Sequence, residues 1–158
     1  MDDVDLKILS MVQENARIPH SEIARRTGIS TSEISERIRK LEEEEIICGY
    51  EARLNPRALG LQLAAFVFVQ TDLQAGGLEA ADLLARIPGV QEVHRIAGDD
   101  CYLVKLRVET TEKLEQVLRD KFNSIRAVNS TQTTIVLKTV KETSRLPLDQ
   151  MTVQAVSA

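Results

Sequence analysis

From Asp2 to about Ile47 the apolar residues recur at helical spacing. Leu6, Leu9 and Val12 lie three apart, and Ile8 and Met11 widen the stripe. "RIPHSEIARRTG" follows, where Pro19 suits a break between helices and Ser21 is the expected N-cap before "EIARR". Gly28 closes that helix, because glycine takes the left-handed C′ conformation without strain. Ser30 or Thr31 then caps a third helix, with Glu33 the expected capping-box partner of Ser30. Ile34, Ile38 and Leu41 form its buried stripe. The pattern predicts three helices, the last two joined by a tight glycine turn.

From Tyr50 the period changes. "LQLAAFVFVQTDL" (61–73) is expected to be a strand buried on both faces. "LEAADLLARI" (78–87) is a helix stopped by Pro88-Gly89. "VQEVHRIA" and "CYLVKLRVE" alternate like two strands joined through "GDD". "TEKLEQVLRDKFNSI" (111–125) reads as one amphipathic helix and "STQTTIVLKTVK" (130–141) as a last strand. The order βαββαβ is that of the ferredoxin-like fold, so the chain is expected to be an α+β protein. Residues 1–50 form the first domain in this reading and 51–60 the linker, marked by Asn55-Pro56 and Gly60. The second domain is expected over 61–158, tail included.

Two helices joined by a glycine turn make a helix-turn-helix, whose second helix enters the major groove of double-stranded DNA. Ala24 permits close helix approach, Gly28 makes the turn and Ile34 anchors the recognition helix. At about 100° per residue, Ile38 and Leu41 fall within about 40° of Ile34. Ser32, Glu36, Arg39 and Glu43 take the opposite face, with Ser35 and Lys40 flanking it. Arg37 lies nearer the core edge, where it is expected to pack its stem or pair with an acid. Ser32, Ser35, Glu36 and Arg39 are the candidates for base edges: arginine suits guanine, glutamate accepts from cytosine, and serine is permissive. Arg25, Arg26 and Lys40 are the candidates for phosphates, with Ser30 and Thr31 at the helix start beside them.

Charge qualifies this picture. Residues 1–50 carry seven basic and eleven acidic side chains, but residues 17–40 carry six basic against three acidic. Positive charge is thus local to the motif, and the acids sit at the N-terminus and in Glu42 to Glu45. One copy should bind DNA weakly, because phosphate neutralisation supplies most non-specific affinity. Several copies on one DNA are expected.

Composition excludes several classes. No apolar run approaches the roughly 18 residues that span a bilayer. The acidic start "MDDVDLKIL" is unlike a signal or transit peptide, so the protein is expected in the cytoplasm. Cys48 and Cys101 lie far apart without a CxxC pair, so no metal is expected and both read as reduced thiols. With no Trp, two Tyr and three Phe, an aromatic platform for bases is excluded, and no cofactor is expected.

Over residues 2–148 the chain resembles the Lrp/AsnC (leucine-responsive, "feast/famine") transcription regulators. The motifs that carry this are "DLKIL", "QENARI", "SEIARRTGIS", "RIRKLEEEEIICGYEARLNPRALG", "IPGVQEVHRIAGDDCYLVKLRV" and "TTIVLKTVK". "TSRLPLD" resembles the C-terminal end found in one branch. The resemblance implies a winged helix-turn-helix followed by a ferredoxin-like domain that senses a small-molecule effector, often an amino acid. It also implies dimers, and octamers of four dimers. Gly98, Asp99, Asp100 and Cys101 stand at the family's effector loop, where Cys101 replaces the usual second acid. An amino acid needs an acid for its ammonium and donors for its carboxylate. Asp99 and Asp100 would supply the first, and Gly98 or the Thr133–Thr134 strand the second. Glu45 replaces the family's glycine in the turn after "LEEE", so a different turn is expected there.

Two rival functions compete with regulation. The same two-part fold resembles haem-pathway decarboxylases, but the only histidines are His20, in the interhelical turn, and His94, on a strand. The other rival is a ligand-independent architectural DNA-binding protein, or a helix-turn-helix that binds protein only.

Overall fold

The computed structural model describes residues 1–72, 77–98 and 101–148. Leu73, the tail beyond 148 and Asp99-Asp100 therefore lie outside the described residues. The chain divides into two compact units: Met1–Arg53 with the chain from Lys141, and Leu54–Val140.

In the helical unit, α1 spans Asp3–Glu14, α2 His20–Thr27 and α3 Thr31–Glu43. Asp2 caps α1 by accepting from Val4 N and Asp5 N, both at 2.9 Å, while the Asp5 carboxylate accepts from Asp2 N at 2.8 Å. That reciprocal pair satisfies amides left free at a helix start. α2 begins two residues earlier than Ser21 as N-cap suggested. Pro19, with φ of −65°, is the N-cap, and its carbonyl accepts from Glu22 N and Ile23 N. Gly28, at φ +79°, ends α2 as expected. Ser30 caps α3 by accepting from Glu33 N at 3.2 Å, but the Glu33 carboxylate accepts instead from Arg37 Nε, also at 3.2 Å. The core of this unit is Ile8, Ile23, Ala24, Ile34, Ile38 and Leu41.

The turn after α3 keeps the left-handed shape despite lacking glycine. Glu45 has φ +56°, its N–H bonds to Glu42 O at 3.0 Å, and Ile46 N bonds to Leu41 O at 2.9 Å. These are the paired bonds of a left-handed helix stop. They satisfy two terminal carbonyls and aim Ile47 back at the core. Residues 44–62 hold turns and one 3-10 turn at Arg57–Leu59 but no strand.

The second unit holds β1 (Leu63–Thr71), α4 (Gly77–Ala85), β2 (Val90–Arg95), β3 (Tyr102–Val108), α5 (Thr111–Val117) and β4 (Val128–Ile135). The sheet runs β2-β3-β1-β4, antiparallel throughout. With α4 and α5 as crossovers, this is the ferredoxin-like arrangement. Ala65, Val67 and Val69 of β1 and Tyr102, Val104 and Leu106 of β3 join Ala80, Leu84, Leu114 and Phe122 in one core. Phe66 and Phe68 point the other way and are only half-buried. β1 is therefore covered by helices on one face and open on the other, contrary to the two-sided burial expected.

The final helix and strand also differ from expectation. α5 passes at Leu118–Phe122 into a wider turn, closed by Asn123 N to Leu118 O at 3.0 Å. Val117 and Phe122 are five residues apart, out of helical register. The extra residue in the turn brings Phe122 to the core, where it is fully buried. β4 stops at Ile135, and Val136 N makes a last bond to Ala64 O. Leu137 and Val140 are almost fully exposed.

Residues after Lys141 group with the helices. Leu146 N donates to Gln13 Oε1 at 2.7 Å, Gln13 Nε2 donates to Leu146 O at 3.0 Å, and Arg145 Nη2 donates to Glu14 O at 3.3 Å. No helix among the described residues is long and apolar enough to cross a membrane.

Candidate nucleic-acid interface and effector loop

Burial of Ile34, Ile38 and Leu41 turns the rest of α3 to solvent. Arg25, Arg26, Ser30, Thr31, Ser32, Ser35, Glu36, Arg39 and Lys40 are all exposed. Each cation nevertheless has an internal partner. Arg25 and Arg26 both reach Glu22 Oε1 at 2.7 Å. The two guanidiniums hold the Glu22 carboxyl down at about 2. Arg39 is gripped by Glu36 and Glu43, and the bond to Glu36 keeps that carboxyl below its ordinary range. Lys40 Nζ lies 3.7 Å from Glu44 Oε1.

Arg37 behaves as its angle foretold. Its Nη1 bonds to Asp2 Oδ2 and Asp5 Oδ1, both at 2.8 Å. These bonds raise the guanidinium further and pull the Asp2 carboxyl down to about 2. This arginine ties α3 to the cap of α1 and is not on the open face.

The hydroxyls are ordered as well. Ser30 Oγ and Ser32 Oγ are 3.0 Å apart. Ser35 Oγ donates to Thr31 O at 3.0 Å and lies 2.9 Å from His20 Nδ1. Sequence reasoning assigned His20 to a turn and missed this contact across fifteen residues; no periodicity links the two positions. Beside it, a hollow of about 280 Å³ is floored by Val12, Ile18, Ile23 and Ile38 and rimmed by Arg39, Glu42 and Tyr50. Tyr50 Oη donates to Glu42 Oε1 at 2.8 Å, and burial followed by that bond pushes its phenol up to about 12.

At the effector loop, Gly98 has φ +135° and is exposed. Cys101 is half-buried: its N–H bonds to Val69 O at 3.0 Å, and its Sγ lies 3.5 Å from Thr71 O. Thr133 and Thr134 alternate in direction. Thr133 pairs with Val67, on the helix-covered side, and Thr134 with Phe66, on the open side. One face can use only one of them. His94 Nε2 lies 3.3 Å from Glu92 Oε2, and Glu92 Oε1 accepts from Lys105 Nζ at 2.7 Å. Among the described residues no group of three His, Cys, Asp or Glu side chains could hold a metal.

Residues 1–42 match the AsnC-type helix-turn-helix domain, and residues 64–146 match the Lrp/AsnC ligand binding domain. The chain belongs to the Lrp/AsnC family of transcriptional regulators. It is 41% identical to the HTH-type transcriptional regulator FL11 of Pyrococcus horikoshii, over 94% of this chain and 97% of that one. It is 33% identical to the leucine-responsive regulatory protein of Escherichia coli K12, over 92% and 90% respectively. A transcriptional regulator of Neisseria meningitidis, solved as a complex with L-Met, superimposes with a TM-score of 0.88 at 30% identity, covering 94% of this chain and 97% of that one. As an Lrp/AsnC protein, the chain is a DNA-binding transcriptional regulator, and α3 is the second helix of its motif.

Proposed function

We propose that the protein recognises specific double-stranded DNA through α3 and answers to a small-molecule effector of the amino-acid class. The observation that carries the DNA reading is the exposed face of Ser32, Ser35, Glu36 and Arg39, set opposite a buried Ile34–Ile38–Leu41 stripe. Ser32, Ser35, Glu36 and Arg39 read base edges. Arg25, Arg26 and Lys40, with Ser30 and Thr31 at the helix start, meet phosphates. The relatives are named regulators, which supports a binding role over an enzymatic one, and the work is done on DNA in the cytoplasm. The test is Arg39→Ala, which should weaken the specific site about tenfold or more while sparing random DNA. Lys40→Ala should weaken both equally and reduce the salt slope by about one. Equal losses of Arg39→Ala on the specific site and on random DNA would demote Arg39 to a phosphate contact.

For the effector, the Gly98–Cys101 loop with Thr133 or Thr134 is the site we favour from the family resemblance, and the Neisseria protein's complex with L-Met supports the amino-acid class of ligand. With Cys101 in place of an acid, polar amino acids should bind weakly and a less polar one should be preferred. Calorimetry against L-methionine and the other common amino acids tests this. Micromolar binding that survives both Asp99→Asn and Asp100→Asn would move the site elsewhere. Self-association uses the open sheet face, where Phe66, Phe68 and Leu103 leave apolar surface half-exposed. A dimer, then an octamer of four dimers, is the assembly expected by light scattering.

A further inference from the structure

Ser35 has one hydroxyl proton, and Thr31 O at 3.0 Å receives it. The 2.9 Å contact with His20 Nδ1 is then satisfied only if the imidazole donates there and Ser35 Oγ accepts. This fixes the neutral ring as the Nδ1–H tautomer. The other nitrogen, Nε2, is left with a bare lone pair on an exposed side chain. His20 is also the first residue of α2, at the end of the motif's first helix, which crosses the DNA backbone in this class of fold. A lone pair facing phosphate is repulsive, whereas a protonated ring donates from both nitrogens at once.

We propose that His20 is a phosphate-contacting and positioning residue: protonated, it holds Ser35 through Nδ1–H and grips a DNA phosphate through Nε2–H, so that DNA binding takes up a proton. This rests on α3 being the recognition helix. Imidazole is the side chain whose charge changes within the physiological pH range. The charged and titratable groups rimming the adjoining hollow are Arg39 and Glu42 of α3 and Tyr50 beyond it; none comes from α1, whose Val12 lies in the floor. Tyr50 stays neutral throughout that range. Arg39, the cation on the rim of that hollow, is engaged by Glu36 and Glu43. Bound phosphate adds the negative charge that favours the imidazolium.

The chain's two histidines make a clean test possible. Binding of the full-length protein to DNA from upstream of its own gene, and to random DNA, is followed by fluorescence anisotropy from pH 5.5 to 8.5 at fixed ionic strength. The wild type should bind up to about tenfold more tightly at the acid end on both DNAs. His20→Asn should flatten the profile, and His94→Asn should leave it intact. His20→Lys should bind at the acid-end level across the range. Because the imidazole also orients Ser35, His20→Asn and Ser35→Ala should each lower the ratio of specific to random binding, and the double variant should lower it no further than either alone. A slope that persists in His20→Asn, or a flat wild-type profile with specific binding intact, overturns the proposal while leaving DNA recognition standing. Absence of wild-type binding to any DNA would overturn both.

Discussion

The helical unit and the sheet unit are held together by different means. Among the described residues, fifteen buried side chains from the helices, the sheet and their connections make the core of the second, with Phe122, Leu84 and Val104 fully enclosed. The first has six. A core that small buries little surface and is marginal by itself. Polar devices add to it: the Asp2–Asp5 cap starts α1, Arg37 bridges α1 to α3, and Gln13 ties α1 to the segment at Leu146. Function explains the difference. The helical unit must offer one face of α3 as exposed charge, so half of every turn is withdrawn from packing. The sheet unit can bury one entire face of its strands.

The comparison predicts that truncating a core side chain hurts most in the sheet unit. Phe122→Ala removes a fully buried aromatic ring that sits in the widened turn and belongs to this core. It should cost about 3–5 kcal/mol of stability in denaturant unfolding. A loss under about 1 kcal/mol would mean that the turn relaxes to a regular helix and refills the space.

The next effect belongs to the helical unit and is sensitive to acid. Arg37→Met keeps the stem but leaves Asp2 and Asp5 without their cation. The loss should be on the order of 1–2 kcal/mol, since hydrogen bonds to charge are strong but Asp2 is half-exposed and screened. The pH dependence has a definite sign. Asp2 is depressed from 3.8 to about 2 in the folded state, so the unfolded chain binds its proton first. The stability it contributes is complete above about pH 4 and is lost as pH falls through about 2. Helix content of the wild type should therefore soften between those values, and in Arg37→Met that part of the acid transition should shrink. An unchanged acid limb in the variant would show that Asp2 is not held by Arg37 in solution.

How much of this was legible in the sequence divides along the same line. The three helices, the Gly28 turn and the βαββαβ order follow from apolar spacing, because each buried stripe repeats at its element's own period. Arg37 was placed by angle alone. What spacing could not show is what lies opposite a face. Phe66 and Phe68 read like core residues because an open apolar face and a covered one have the same composition. The last strand reads on past Ile135 because Val136, Leu137 and Val140 continue its apolar pattern, although the strand stops there and Leu137 and Val140 are exposed. The internal pairing of Arg25, Arg26 and Arg39 was hidden for another reason: their acids stand three or four residues away on the same face, which a count of cations ignores. The partnership of His20 with Ser35 needs the tertiary crossing of α2 and α3.

The smallest effect sharpens the comparison at its cheapest point, the turn that ends the recognition helix. Glu45 holds φ +56° without being glycine, and an L-residue there is strained by about 1–2 kcal/mol. The strain persists because the bonds of Glu45 N to Glu42 O and Ile46 N to Leu41 O, and the return of Ile47 to the core, over-determine the turn. Glu45→Gly relieves it but gives the unfolded chain more freedom, so a net gain of about 0.5–1 kcal/mol is expected. Removing a negative charge from the DNA-binding unit would also strengthen binding, which confuses an affinity measurement with a stability one. Glu45→Asn separates them: asparagine tolerates the left-handed region, so it should recover part of the stability while losing the same charge as glycine. Glu45→Gln should strengthen DNA binding without stabilising the fold. If all three variants melt with the wild type, the left-handed turn is not occupied in solution, and the chain after α3 leaves the helix by another path.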